Sequence, residues 1–198
     1  MNLAVDLTSL HESWGGMQYF TANFVRSLLL ASDDRFGLVH SGEEVRRVRP
    51  PHLDDSHQFI EVSSPLGSRV FREQSVLPFE LFRSDFDPDR LLVPAYFGPI
   101  VSPYPVDMIV YDFLYLRSDS GLSLKNRLYW KGLYKAAFWR ADRLYPCSQT
   151  TKEEILNRMP WASDKVGPVL YPGHRSYDRA GPVSCQLNRA DPYILFVG

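Results

Sequence analysis

Apolar and polar positions change period repeatedly along this chain. Residues 2–7 (Asn2-Leu-Ala-Val-Asp-Leu7) read as a short buried strand, and residues 8–15 as a polar loop. From Gly16 the period becomes helical, with Met17, Phe20, Phe24, Leu28 and Ala31 on one face. A strand is predicted at 36–40, then a charged excursion over 41–56 that carries Pro50-Pro51, then a strand at 59–62. Residues 66–86 are helical in pattern, with Val70, Gln74, Leu77 and Leu81 on one side; Pro78 should kink or split that helix. Strands follow at 91–93 and 106–110, separated by a loop rich in proline and aromatic residues. The longest helical pattern covers 124–141, and Leu144-Tyr145 with their flanks read as a sixth strand. Thr150-Thr-Lys-Glu153 matches a capping box and opens a helix to about residue 159, and 166–170 reads as a seventh strand. Residues 173–192 have the composition of a linker, and 193–198 that of an apolar strand.

Strands alternating with helices predict an α/β domain: a Rossmann-like, doubly wound, mainly parallel sheet with helices on both faces. In such sheets ligands bind beyond the carboxyl ends of the strands. The loops after residues 7, 93, 110 and 145 are therefore the ones that carry chemistry. In the first of them, Gly15-Gly16 stands where loop becomes helix. Glycine there suits either a tight turn or the close approach of a phosphate to bare backbone at a helix N-terminus. The dinucleotide pattern G-x-G-x-x-G is missing from this loop, which argues against a nicotinamide or flavin enzyme.

Composition narrows the classes further. The chain has 198 residues, and its 22 basic and 23 acidic residues nearly cancel, so no global field points to nucleic acid. Two cysteines, Cys147 and Cys185, lack metal-ligand spacing and cannot make a disulfide framework, which fits a reducing, cytoplasmic setting. No metal site and no cofactor are expected. Neither a signal peptide nor an apolar run of about 18 residues is recognised.

Several short stretches, in order, resemble the N-terminal domain of a retaining glycosyltransferase of the GT-B fold, family 4. They are the Gly15-Gly16 loop, Arg72-Glu-Gln-Ser-Val-Leu-Pro78, Leu91-Leu-Val-Pro-Ala-Tyr-Phe-Gly-Pro99 and Asp107-Met-Ile-Val-Tyr-Asp112. Ala141-Asp-Arg-Leu-Tyr-Pro-Cys-Ser-Gln-Thr-Thr151 and Ile194-Leu-Phe-Val-Gly198 complete the series. The E-Q-x-x-L-P form is similar to mannosyl- and rhamnosyltransferases of bacterial surface polysaccharide synthesis. The resemblance implies an acceptor-side domain over 1–172, an interdomain linker over 173–192, and the first strand of a donor-binding domain at 193–198. It implies transfer of a sugar from a nucleotide-sugar donor to a saccharide or lipid-linked acceptor, with the 198-residue piece inactive alone. A non-catalytic carbohydrate- or partner-binding α/β module is the alternative.

The same resemblance assigns residues. Gly15 and Gly16 match the loop that approaches the donor diphosphate. The family's His-Asp pair falls on Tyr111-Asp112, a departure at the first position; Tyr111 is then the candidate to hydrogen-bond or stack at the donor sugar near the reacting carbon, and Asp112 either orients a hydroxyl, acts as a base or merely caps a turn. Ser148 contacts substrate or caps the next helix, and His11 and Tyr96 are candidate substrate contacts. Tyr171-Pro-Gly-His174 stands where relatives often carry Asn-Gly. His40, His52, His57 and His174 read as ordinary surface or strand-end residues. Retention in this family needs no protein nucleophile, in keeping with the lack of a Ser-His-Asp arrangement.

Residues 124–145 carry Lys125, Arg127, Lys131, Lys135, Arg140 and Arg143 against the single acid Asp142. Trp130, Leu133, Tyr134, Ala137, Ala141 and Leu144 share one arc that should pack on the sheet, with most cations opposite. That outer face is either a solvated surface, a partner contact or a peripheral attachment to anionic lipid at the inner face of a membrane.

Overall fold

The computed structural model describes residues 1–10, 15–42, 45, 48, 57–63, 69–95, 97–113, 121 and 123–171. Its strands are β1 (Asn2–Asp6), β2 (Arg35–His40), β3 (Gln58–Glu61), β4 (Arg90–Val93), β5 (Val106–Val110) and β6 (Arg143–Pro146). They form one sheet in the order β3-β2-β1-β4-β5-β6. Every pairing is parallel. Val5 of β1 lies between Leu38 of β2 and Leu92 of β4, and Ile109 of β5 pairs with Tyr145 of β6. The chain is thus a Rossmann-like α/β protein with its strand order reversing between β1 and β4.

Parallel strands connected through helices are buried on both faces, so consecutive residues are all apolar but face opposite ways. Leu3, Val5, Leu92 and Ile109 share one core with Ala22, Val25 and Leu29 of α1 (Gly16–Ala31). Ala4, Leu91, Val93, Met108 and Val110 share the other with Leu77 and Leu81 of α3 (Leu77–Arg83). Tyr134, Ala137 and Phe138 of α4 (Leu124–Arg140) join that second core, as does Ile155 of α5 (Gln149–Arg158). Helices therefore cover both faces. The predicted inner arc of α4 is the observed one: Tyr134, Ala137, Ala141 and Leu144 are buried and Trp130 and Leu133 pack against them.

Four expectations are corrected. The buried stripe of α1 is Gln18, Thr21, Ala22, Val25 and Leu29, one step round from the expected Phe20, Phe24 and Leu28, which are only partly buried. Small and hydrogen-bonding side chains bring this helix close to the sheet, and the phenyl rings flank the contact, Phe20 and Phe24 stacked at 5.8 Å. Second, the expected division of this stretch at Pro78 takes the form of a π-turn just ahead of it rather than a gap in the helix. A short α2 (Arg69–Phe71) passes into a π-turn (Arg72–Val76) and then into α3. There the Leu77 amide bonds to the Arg72 carbonyl five residues back. Widening the turn just ahead of Pro78 accommodates its ring and missing N–H, and leaves Pro78 in the first turn of α3, where a proline fits.

Third, Thr150 does not cap α5; Ser148 does, as the second of its two readings has it, its Oγ accepting from the Thr151 amide at 3.0 Å. Fourth, 166–170 is not a strand. Only a single bridge joins Val166 to Leu144, with Gly167 and Leu170 amides bonded to the Leu144 and Pro146 carbonyls. The two bonded amides stand at 167 and 170, out of the two-residue period of a strand, so no ladder continues past the bridge. The expected linker and terminal strand, 173–192 and 193–198, lie outside the described residues. No described helix is long and apolar enough to cross a membrane.

The core makes one sharp demand. A Cβ built on Gly37, in the middle of β2, would stand 2.5 Å from the buried Phe86 ring. Gly37→Ala should therefore destabilise the fold by about 1–3 kcal/mol through overpacking. On a chain of this size that lowers the melting temperature by roughly 2–4 °C per kcal/mol. Gly132 of α4 is the control: nothing lies within 4 Å of its built Cβ. Gly132→Ala should raise stability, by up to about 1 kcal/mol, through helix propensity. Equal melting curves for the two variants would remove the Gly37–Phe86 contact as a constraint.

Candidate functional site at the carboxyl edge

The two edges of the sheet differ in how their polar groups are used. At the amino edge, Arg90 makes a bidentate pair with Asp107, which holds the guanidinium above its usual pKa. Arg140 donates to the Ser102 and Tyr104 carbonyls and pairs with Asp142, whose other contact is the Val106 amide at 2.8 Å. These charges are consumed in holding strands and loops together.

The carboxyl edge is built from five segments. At the end of β1, buried Asp6 accepts through Oδ1 from both the Thr8 amide (2.9 Å) and the Thr8 hydroxyl (2.7 Å), which turns the chain out of the sheet. The π-turn stands beside it. Arg72 Nη2 donates to the Thr8 carbonyl at 3.2 Å, and Glu73 is fully buried. Gln74 holds the loop after β4 from both sides: its Nε2 donates to the Gly98 carbonyl (2.9 Å) and its Oε1 accepts from the Ile100 amide (2.7 Å). At the end of β5, the Tyr111 hydroxyl lies 2.8 Å from the Thr21 hydroxyl of α1, and both reach the Pro94 carbonyl at 3.3 Å. Two hydroxyl protons serve one mutual bond and one bond to that carbonyl. The Tyr111 ring meets Phe20 edge-on at 5.2 Å. The fifth segment is the start of α1.

Two buried polar atoms at this edge, Ser9 Oγ and Arg72 Nε, have no hydrogen-bond partner among the described residues. Buried polar groups are paired in the great majority of cases, so orphans are informative about where a ligand or solvent reaches. They sit at the switch in strand order, the ligand crevice of open α/β sheets.

The residues expected from sequence distribute as follows. Gly15 and Gly16 are exposed at the start of α1. Neither uses the left-handed region: Gly15 has φ −115° and, among the described residues, only Gly121 has a positive φ. The Gly15 amide is taken by Gln18 Oε1 at 3.0 Å, and the space before a Gly16 Cβ is open to 4 Å. Glycine here leaves the backbone uncovered rather than bending it. Asp112 is half-buried just past β5 and close enough to Cys147 for its charge to act on that thiol. The Cys147 pKa is raised, chiefly by burial, and its Sγ–H donates to the Tyr111 carbonyl at 3.0 Å. Thr151 Oγ1 donates to the same carbonyl at 2.8 Å. Ser148 is engaged as the α5 cap. His11 and Tyr96, like His52 and His174, lie outside the described residues. His40 and His57 contact the backbone: His40 Nδ1 lies 3.0 Å from the Gly42 carbonyl, and His57 Nδ1 accepts from the Phe36 amide.

Sequence reading did not single out Asp6, Ser9, Thr21 or Arg72. For Asp6 a signal existed, an acid closing an otherwise apolar strand. For Arg72 it was the motif itself, quoted for its order and not for its reach. Thr21 carried no signal, because a threonine within a helix looks ordinary until its partner is known. No protein-family model and no curated protein sequence matches the chain. No group of three or more His, Cys, Asp or Glu residues among the described ones forms a candidate metal centre.

The Thr21–Tyr111 contact ties α1 to the β5 end and is directly measurable. In a double-mutant cycle with Thr21→Val and Tyr111→Phe, the coupling energy should be about 0.5–1.5 kcal/mol, of the order of one partly buried hydrogen bond. Additive losses in chemical denaturation would mean that the two hydroxyls do not support each other.

Proposed function

We propose that this chain is the acceptor-side half of a retaining, nucleotide-sugar-dependent glycosyltransferase of the GT-B fold, family 4. The observation that carries the reading is the grip of Gln74 on Gly98 and Ile100. Two separate motifs of the resemblance, E-Q-x-x-L-P and P-x-x-x-x-P, are thereby bonded to each other through the loop after β4. The order of strands, with its switch between β1 and β4, supports the same edge.

In this reading the donor diphosphate approaches the open backbone at Gly16 from a second, nucleotide-gripping half. The helix N-terminus favours its charge. The acceptor hydroxyl oxygen attacks the anomeric carbon on the face from which the diphosphate departs. The bond from that carbon to the phosphate oxygen breaks, and the departing phosphate takes the hydroxyl proton. Asp112 orients the acceptor hydroxyl or shares its proton. Tyr111 serves as scaffold, since its hydroxyl is held by Thr21 and Pro94. The chemistry is then positioning and stabilisation of leaving-group charge. A cytoplasmic location and a saccharide or lipid-linked acceptor go with this reading.

The test is sugar transfer from a panel of nucleotide-sugars by the full-length gene product, with product configuration read by NMR. Asp112→Asn should lower kcat by ~10²–10⁴ at an unchanged melting temperature if the carboxylate takes part in proton transfer. A loss confined to the acceptor KM would make it a positioning group. Gly16→Val should impair donor use more than folding, since its side chain would fill only the space before the backbone. A folded full-length protein that transfers no sugar from any donor would favour the alternative, a carbohydrate-binding α/β module without catalysis.

A further inference from the structure

The outer face of α4 has a composition that its role in the core does not explain. Leu124, Leu128, Lys131, Lys135 and Trp139 recur at spacings of three and four, one stripe along the side turned away from the sheet. All five are exposed, Trp139 to 71% and Leu128 to 61%. The helix holds five cations and no acid, in a chain whose 22 basic and 23 acidic residues nearly cancel as a whole. Arg140 is used internally, but Lys131 and Lys135 make no ion pair with any described acid.

The stripe ends in a groove of about 670 Å³ lined by Gly132, Lys135, Ala136 and Trp139 of α4 and by Trp161 and Lys165. The last two come from the 3₁₀ turn Pro160–Lys165. That turn is fixed against the helix because Lys165 Nζ donates to the Trp139 and Ala141 carbonyls at 2.7 and 2.8 Å. Two indoles thus line one groove at the surface, Trp161 itself 40% exposed. The sequence alone gave no reason to bring Trp161 and Lys165 to this helix.

We propose that this face, the α4 stripe with the Pro160–Lys165 turn, docks the protein onto an anionic lipid bilayer. Leu124, Leu128, Trp139 and Trp161 enter the headgroup region, and Lys131 and Lys135 meet lipid phosphates. Three considerations select this occupant. Tryptophan and leucine interleaved with lysine on one helical face is the composition that suits the membrane interface, where indoles sit at headgroup level and lysine stems extend past them. A second copy of the chain is disfavoured, because a two-fold contact through this stripe would set its lysines against one another. A typical protein partner is disfavoured too, since interface cores are depleted in lysine, whereas here lysines alternate with the apolar anchors. Asp164, on the turn, is the acid nearest in sequence to Trp161, and it leaves the cationic excess of the stripe in place.

The proposal is independent of sugar transfer and is tested without it. The 198-residue chain is sedimented with vesicles of equimolar phosphatidylglycerol and phosphatidylcholine, and with pure phosphatidylcholine vesicles, while tryptophan emission is recorded. Binding to the anionic vesicles alone is expected, with a blue shift in emission and release at high salt. Lys131→Glu with Lys135→Glu should weaken the partitioning at least ~10-fold. Trp139→Ala should weaken it and remove part of the blue shift. All three positions are exposed, so melting curves should match the wild type. No binding to anionic vesicles, equal binding to both vesicle types, or equal partitioning of wild type and charge variant would overturn the proposal. So would a dimer in sedimentation velocity that Trp139→Ala dissolves, which would make the face a self-interface.

Discussion

Parallel pairing across all six strands is the constraint from which the rest of this molecule follows. A parallel strand cannot return through a tight turn, so each connection must cross back over a face of the sheet, and helices come to bury both faces. The same rule sends every strand's carboxyl end to one edge. The loops after β1, β4, β5 and β6 gather there whatever their sequences. Reversal of strand order at β1 then opens a crevice at that edge, because the connections on either side of it leave in opposite directions.

The two edges divide the polar work between them. Arg90, Asp107, Arg140 and Asp142 spend their charge on each other and on nearby backbone, and so tie β4, β5 and the start of β6. The carboxyl edge is arranged otherwise. Asp6, Gln74, Thr21 and Tyr111 each hold a loop in place, yet Ser9 Oγ and Arg72 Nε are buried without a bond among the described residues. The supports of this edge are thus bonded while two polar atoms beside them keep unused capacity. The π-turn ahead of Pro78 matters for this reason. One extra residue in the turn sets Arg72 toward β1 and Gln74 toward the loop after β4. Wide turns of this kind occur often at functional sites.

The fold was legible where burial alone decides a pattern. Val106–Val110, apolar apart from Asp107 and buried throughout, is the strand expected. The inner arc of α4 was legible for the same reason, since Tyr134, Ala137 and Ala141 share one stripe. Pattern reading failed where polar bonds decide. In α1 it followed the large residues Phe20, Phe24 and Leu28, but Gln18 and Thr21 face inward because they bond to Gly15 and to Tyr111. It failed again at 166–170, where apolar residues suggested a strand but the bonded amides of Gly167 and Leu170 fall out of its two-residue period. Of the candidate site, the edge and the Gly15, Gly16 and Asp112 positions were legible. The roles of Thr21, Arg72 and Gln74 were not, because each depends on a partner from 24 to 90 residues away.

The account stands on the carboxyl edge being the ligand edge. Backbone amide shifts of the isotopically labelled chain, titrated with nucleotide-sugars and with saccharide acceptors, test this most directly. The expected result is a contiguous set of perturbed amides at Gly15, Gly16 and Met17, at Ser9, and at Asp112 and Phe113, with Arg90 and Asp107 unmoved. Perturbation confined to the amino edge, or none at any residue of the carboxyl edge with either ligand class, would contradict it.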